Sequence, residues 1–209
     1  MKTSVIIPVK SFQKSKTRLQ LSDEKTIKLC RLLLREVIKT VSESGLIDKI
    51  IVVTNENKIS DIIEEYGCKK ILDINEKSVN DAVGLAESYL IENEFTHSIV
   101  LPLDVPFFYS EDIKRLLDFA DEKSVVIVPS RHFDGTNALL RTPIDSIKPR
   151  YDEGSYHFQV ESAKKYDVKI SVGIIYRLML DIDSIEDLEF VIKQSIKSEF
   201  CEKIKEIIQ

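Results

Sequence analysis

Short apolar runs and longer segments of helical spacing alternate along the chain. Residues 5–9, 50–54, 71–73, 98–104 and 125–128 are runs of strand length, rich in Val and Ile. Between them, residues 23–43 place Ile27, Cys30, Leu34, Val37, Ile38 and Val41 on one helical face, with Ser22 as N-cap and Gly45 as the stop. Residues 59–66 read as a short helix ended by Gly67, and residues 79–92 as a helix capped by Ser78. Ser110 is placed to cap a helix to about Ala120, with Glu111 and Asp112 in its first turn, where the dipole favours them. Repeated strand–helix units predict an α/β fold, a three-layer, mostly parallel sheet with helices on both faces. No repeat or linker breaks the pattern, so residues 1–209 are expected to form one domain around one core.

After residue 129 the rhythm changes. Residues 130–137 are polar, 138–140 are strand-like, and 142–154 hold two prolines and a glycine, which predicts a long loop. Loops of that length in compact domains are often binding elements. Residues 155–166 read as a helix, 169–172 and 176–182 as strands, and the remainder as helical. The last helix carries Phe200, Ile204, Ile207 and Ile208 on one side, a pattern expected for packing against its own domain.

The ends of the apolar runs carry the chemistry. Leu101-Pro-Leu-Asp104-Val-Pro106 delivers a carboxylate at a strand end, where an open α/β sheet binds its ligand. Leu178-Met-Leu-Asp181-Ile-Asp183-Ser184 repeats the device ahead of Glu186 and Asp187. The first strand instead enters a basic loop with Lys10, Lys14, Lys16 and Arg18. Two acidic ends and one basic loop point to a divalent cation and a polyphosphate. The loop has no glycine, so it is neither a P-loop nor a dinucleotide fingerprint. Phosphate would be held by side chains, Arg18 bidentately and the lysines as point charges. Mg²⁺ needs one or two carboxylates beside substrate phosphates, so Asp104 and one of Asp181 or Asp183 suffice. Only one of the last two is expected to serve as a ligand. The competing readings are a turn cap at Asp104 and helix capping around Ser184.

Arg131-His-Phe-Asp-Gly135-Thr136-Asn137 is a donor-rich turn, and Asp152-Glu153-Gly154-Ser155 precedes a helix. Ser155 and the first free N–H groups there form either an anion site or an ordinary cap. His132 and His157 lack ligand spacing and read as surface or packing residues. The net charge of −5 argues against nonspecific nucleic-acid binding. Cys30, Cys68 and Cys201 are scattered, which fits a reducing compartment, with Cys30 a buried thiol. No apolar stretch is long enough for a signal or a membrane span, so a cytoplasmic location with no membrane partner is expected.

Taken together, Pro8-Val9-Lys10, Lys16-Thr-Arg18-Leu, Leu101-Pro-Leu-Asp104-Val-Pro106, Gly135-Thr136-Asn137-Ala-Leu and Asp181-Ile-Asp183-Ser-Ile-Glu-Asp-Leu188 resemble the 2-phospho-L-lactate guanylyltransferases of coenzyme F420 biosynthesis. The resemblance spans nearly the whole chain. It implies a nucleotide-diphospho-sugar transferase-like, Rossmann-like fold and transfer of GMP from GTP to 2-phospho-L-lactate, phosphoenolpyruvate or 3-phosphoglycerate, with pyrophosphate released. It implies that Lys16 and Arg18 hold the triphosphate, that Asp104 and Asp183 hold Mg²⁺, and that Thr136 and Ser155 contact the acid. Catalysis would then rest on Lys16, Arg18 and Asp104. Pro8, Val9, Lys10 and Asn80 complete the nucleotide side; Arg131, Asn137, Asp152 and Gly154 complete the acceptor side. A homodimer is the family expectation. One departure is Asp152, where some family members carry Gly. The alternatives are another Mg²⁺-dependent nucleotidyltransferase with a molybdopterin or sugar-acid acceptor, a phosphatase suggested by Asp181-Ile-Asp183-Ser184, and a non-catalytic GTP-binding module.

Overall fold

The structure, a computed structural model, describes residues 2–12, 16–152 and 154–208. Lys14 of the basic loop and Glu153 lie outside the described residues. The strands are β1 (Thr3–Val9), β2 (Lys49–Thr54), β3 (Lys69–Leu72), β4 (His97–Val100), β5 (Ser124–Pro129), β6 (Thr136–Thr142) and β7 (Lys169–Val172). The helices are α1 (Asp23–Glu43), α2 (Ser60–Glu65), α3 (Val79–Glu92), α4 (Ser110–Asp118), α5 (Ser155–Lys165), α6 (Ile185–Lys193) and α7 (Ser198–Ile208). The seven strands form one sheet in the order β3-β2-β1-β4-β6-β5-β7. All neighbouring pairs are parallel except those made by β6, which runs antiparallel to β4 and β5.

The strands are apolar on both faces because both faces are covered. Val5, Ile7, Val52, Ile99 and Leu140 meet α1, α4, α6 and α7, including the buried face Leu29, Leu33, Val37 and Ile38 of α1. Ile6, Ile51, Val53, Val100 and Leu139 meet Ala82, Val83, Ala86 and Leu90 of α3 and Ala163 of α5. The predicted caps at Ser22 and Ser78 hold: each hydroxyl accepts an N–H of the first turn, from Lys25 and Asp81. Gly45 sits at φ +64, the left-handed conformation that ends a helix without the cost of a Cβ. Phe200 and Ile204 of α7 enter the core, as the amphipathic pattern predicts.

Four local expectations are corrected. The run 98–104 is strand only to Val100; Leu101 N–H still donates to Ile6 O at 3.0 Å, but Pro102 has no N–H to continue the ladder. The run 176–182 is not a strand. It forms a 3-10 turn, Tyr176–Met179, and an extended exit whose Ile182 N–H donates to Asp104 O at 3.0 Å. Its apolar residues, Leu178, Leu180 and Ile182, are buried by packing rather than by sheet pairing, which a short apolar run cannot distinguish. α4 is capped by Asp112, whose carboxylate accepts the Tyr109 N–H at 2.9 Å, while Ser110 is its first residue. α5 begins after Gly154, in left-handed geometry at φ +74, so Ser155 lies inside the helix rather than at its cap.

Candidate active site

A cavity of about 820 Å³ opens at the C-terminal ends of β1 and β4. β6 reaches the same edge from the other direction. Its Leu139 pairs with Val100, so Asn137 and Thr136, at its start, extend past the end of β4. Ser130, directly after β5, joins them. The sheet thereby brings the basic loop, both acidic segments and the donor-rich turn to one place.

The centre of the site is an ion cluster. Lys16 Nζ lies 2.8 Å from Asp104 Oδ2 and 2.8 Å from Asp183 Oδ1. Burial pushes the Lys16 pKa down, but the two carboxylates more than offset that and hold it above its ordinary value. Asp181 accepts a hydrogen bond from Asn137 Nδ2 at 3.2 Å. Its own burial, then the neighbouring Asp104 charge, raise its pKa to about 6. The expectation that only one of Asp181 and Asp183 serves the site is corrected: both line the cavity, because residues two apart in the extended exit after the 3-10 turn point to the same side. Ser155 Oγ donates to Thr136 Oγ1 at 3.1 Å on the opposite wall of the cavity.

These groups are held from behind. Asp112 is buried and takes a two-point ion pair from Arg177, with Nε and Nη2 at 2.7 and 2.8 Å from its two oxygens. That pair ties the helix after Asp104 to the turn before Asp181. Lys197 Nζ reaches Pro106 O at 2.9 Å and Glu36 at 2.7 Å, pinning the Asp104 loop to α1 and α7. In the basic loop, Glu76 accepts the Ser11 N–H at 2.8 Å and Glu56 the Phe12 N–H at 3.1 Å. The long loop before α5 is fixed by Gln159, which bonds both N–H and C=O of Arg150, and by the fully buried Arg141, which donates to Ile147 O.

Of the residues expected at the site, Pro8, Lys10, Lys16, Arg18, Asp104, Thr136, Asn137, Asp152, Gly154, Ser155 and Asp183 line the one cavity. Three do not. Val9 is turned into the core. Asn80 accepts the Tyr151 N–H at 2.7 Å and so positions the long loop. Arg131 donates to Asp187 at 2.8 Å and stacks over Phe190, 4.3 Å from the ring centre. Ser130, Asp134 and Tyr151 also line the cavity, beyond the residues expected there. The strand-end rule, applied to residues 125–128, points to Ser130; Asp134 and Tyr151 carry no periodic signal. His132 and His157 are exposed, as expected.

Among the described residues, no group of three or more His, Cys, Asp or Glu side chains is arranged to hold a metal by itself. Among the described residues, the lining nevertheless carries five carboxylates, Asp104, Asp134, Asp152, Asp181 and Asp183, against three cations, Lys10, Lys16 and Arg18. Such a lining repels a polyphosphate unless cations accompany it. Asp104 and Asp183, already 2.8 Å from one shared positive charge, are hard oxygen donors suited to Mg²⁺ completed by phosphate and water.

Solved structures share this architecture at low sequence identity. A protein of Desulfovibrio desulfuricans G20, described as a nucleotide-diphospho-sugar transferase, superposes with a TM-score of 0.77 at 14% identity, covering 99% of this chain and 95% of that one. A nucleotidyl transferase of Methanothermobacter thermautotrophicus gives 0.69 at 12%, covering 96% and 98%. The likeness is one of fold, a mixed, mostly parallel α/β sheet with helices on both faces. The chain belongs to the guanylyl transferase CofC-like family, whose model matches residues 3–206. It is 29% identical to the 2-phospho-L-lactate guanylyltransferase of M. thermautotrophicus, over 92% of this chain and 85% of that protein. It is 31% identical to the 3-phospho-D-glycerate guanylyltransferase of Colwellia psychrerythraea, over 91% of each. Its identity to the phosphoenolpyruvate guanylyltransferase of Conexibacter woesei is 29%, over 90% and 86%.

Proposed function

We propose that this protein moves GMP from GTP onto the phosphate of a small phosphorylated carboxylic acid, foremost 2-phospho-L-lactate, in coenzyme F420 biosynthesis. The observation that carries the reading is one cavity with the Lys16–Asp104–Asp183 cluster on one wall and the Ser155–Thr136 hydroxyl pair on the other. An acceptor phosphate oxygen would attack the α-phosphorus of GTP. The bond from that phosphorus to the β-phosphate oxygen would break, and pyrophosphate would leave. The nucleophile is already ionised near neutral pH, because the second pKa of a phosphate monoester is about 6. The reaction therefore asks for alignment and charge stabilisation rather than a protein base. Lys10, Lys16 and Arg18 bind the triphosphate and stabilise charge on the leaving group. Thr136, Ser155 and the N-terminal end of α5 orient the acid. Asp104 and Asp183 would hold Mg²⁺, which when bound screens the phosphates. Asp152 is compatible with an anionic acceptor because Arg150 Nε lies 2.9 Å from it.

The same reading includes a homodimer, to be checked by light scattering. No described helix is long and apolar enough to cross a membrane. The deciding experiment pairs GTP, CTP, ATP and UTP with 2-phospho-L-lactate, phosphoenolpyruvate and 3-phosphoglycerate and follows pyrophosphate release with Mg²⁺. Release with GTP and one acid names the acceptor. No release in any combination, from folded protein that binds GTP, rejects the acceptor class.

A further inference from the structure

Lys16 is more than one of several phosphate-binding cations. Its side chain is 6% exposed, while those of Asp104 and Asp183 are 25% and 49% exposed, so the ammonium is the deepest member of the cluster. It touches both carboxylates that would serve a metal. Its backbone lies at φ +55, a conformation disfavoured for lysine, at the joint where the 3-10 turn Thr17–Leu19 begins. A divalent cation entering the same gap would meet a buried positive charge at close range and would have to expel it. Among the described lining residues, the other carboxylates, Asp134, Asp152 and Asp181, are already bonded to Ser130, Arg150 and Asn137, so none gives that ammonium an uncommitted acceptor. A triphosphate does, with oxygens on each phosphate.

We propose that Lys16 is an internal stand-in for the divalent cation: it occupies the gap between Asp104 and Asp183 until a triphosphate draws its ammonium away, so that metal enters with the nucleotide and not before it. The inference rests on the reading of the cavity as a metal–nucleotide site. It predicts that removing a phosphate-binding residue makes the nucleotide-free protein bind metal more tightly.

The test uses Mn²⁺ alone, titrated into the full chain without nucleotide or acid and followed by the electron paramagnetic resonance of the free ion. Lys16→Met should bind Mn²⁺ at least about 10-fold more tightly than wild type, because an unpaired carboxylate pair is left in a partly buried site. Adding Asp104→Asn to that variant should abolish the gain. Lys10→Met removes the same charge from the same cavity but not from between the carboxylates, and should leave Mn²⁺ affinity within about 2-fold of wild type, as expected for a weakly coupled, solvent-screened charge. An equal gain in Lys10→Met and Lys16→Met would reduce the effect to general charge and overturn the proposal. So would no gain in Lys16→Met. If Lys16→Met is insoluble, Lys16→Gln is titrated in its place, and its melting temperature should rise more with Mn²⁺ than that of wild type; an equal rise counts against the proposal. Because neither GTP nor acid is present, these results stand apart from the pyrophosphate-release grid, and either reading can fail alone.

Discussion

At the scale of single residues, the charges at the strand ends decide the behaviour of the site. Asp104→Asn removes one of the two charges that face Lys16. Turnover should fall by about 100-fold or more, the size of losing one preorganised electrostatic contact, while the melting temperature stays near that of wild type; wild-type-like pyrophosphate release would sink the role given to Asp104. Asp181 makes a pH prediction. Its folded pKa of about 6 lies above the ordinary carboxylate value of 3.8. Between those limits the native state keeps a proton that the unfolded chain has lost. Stability therefore declines as pH rises through that window, and the full penalty for the buried charge is present above it. Asp181→Asn should raise the melting temperature at pH 8 in EDTA, with the difference shrinking toward pH 4. A gain that does not change with pH would show that the charge is not the cause. Serine and threonine give a third case: Ser155→Ala deletes the hydroxyl that bonds Thr136 and should raise KM for the acid far more than KM for GTP.

At the scale of elements, the sequence showed most of what the structure contains. Residues 23–43 and 79–92 are helices with the predicted bounds and caps, because long apolar periodicity and an N-cap serine are local signals. Lys16, Asp104 and Ser155 were legible for a related reason, since strand ends and helix starts mark where a sheet binds ligand; Thr136 was legible only through the donor-rich turn and the family resemblance. What stayed hidden depends on partners distant in the chain. Residues 176–182 look like a strand because burial alone makes them apolar. Asp112 looks like a helix-start carboxylate, and only the fold shows that Arg177, 65 positions away, is its partner. Arg131 looks like a substrate ligand until Asp187 and Phe190 claim it. The Asp112–Arg177 pair also gives a stability prediction. Asp112→Ala removes both the ion pair and the cap of α4, and should lower unfolding stability in urea by about 2 kcal/mol or more. A change under about 0.5 kcal/mol, typical of an exposed pair, would show that the contact is incidental.

At the scale of the whole molecule, one reversed strand has the largest consequence. Because β6 runs against β4, Thr136 and Asn137 at its beginning arrive where β1 and β4 end. On the proposed reading, the nucleotide side draws on the first half of the chain together with Asp181 and Asp183. On the same reading, the acid side draws almost entirely on residues 130–155, a continuous stretch that leaves β5 and returns at α5. In a fully parallel sheet those contacts would be scattered over several crossovers. Here they form a cassette. Substrate preference would then be exchangeable as one piece of sequence, by recombination in nature or by grafting at the bench, with the proposed nucleotide side unchanged. Residues 130–155 of a relative that uses a different acid, set into this chain, should carry that preference with them.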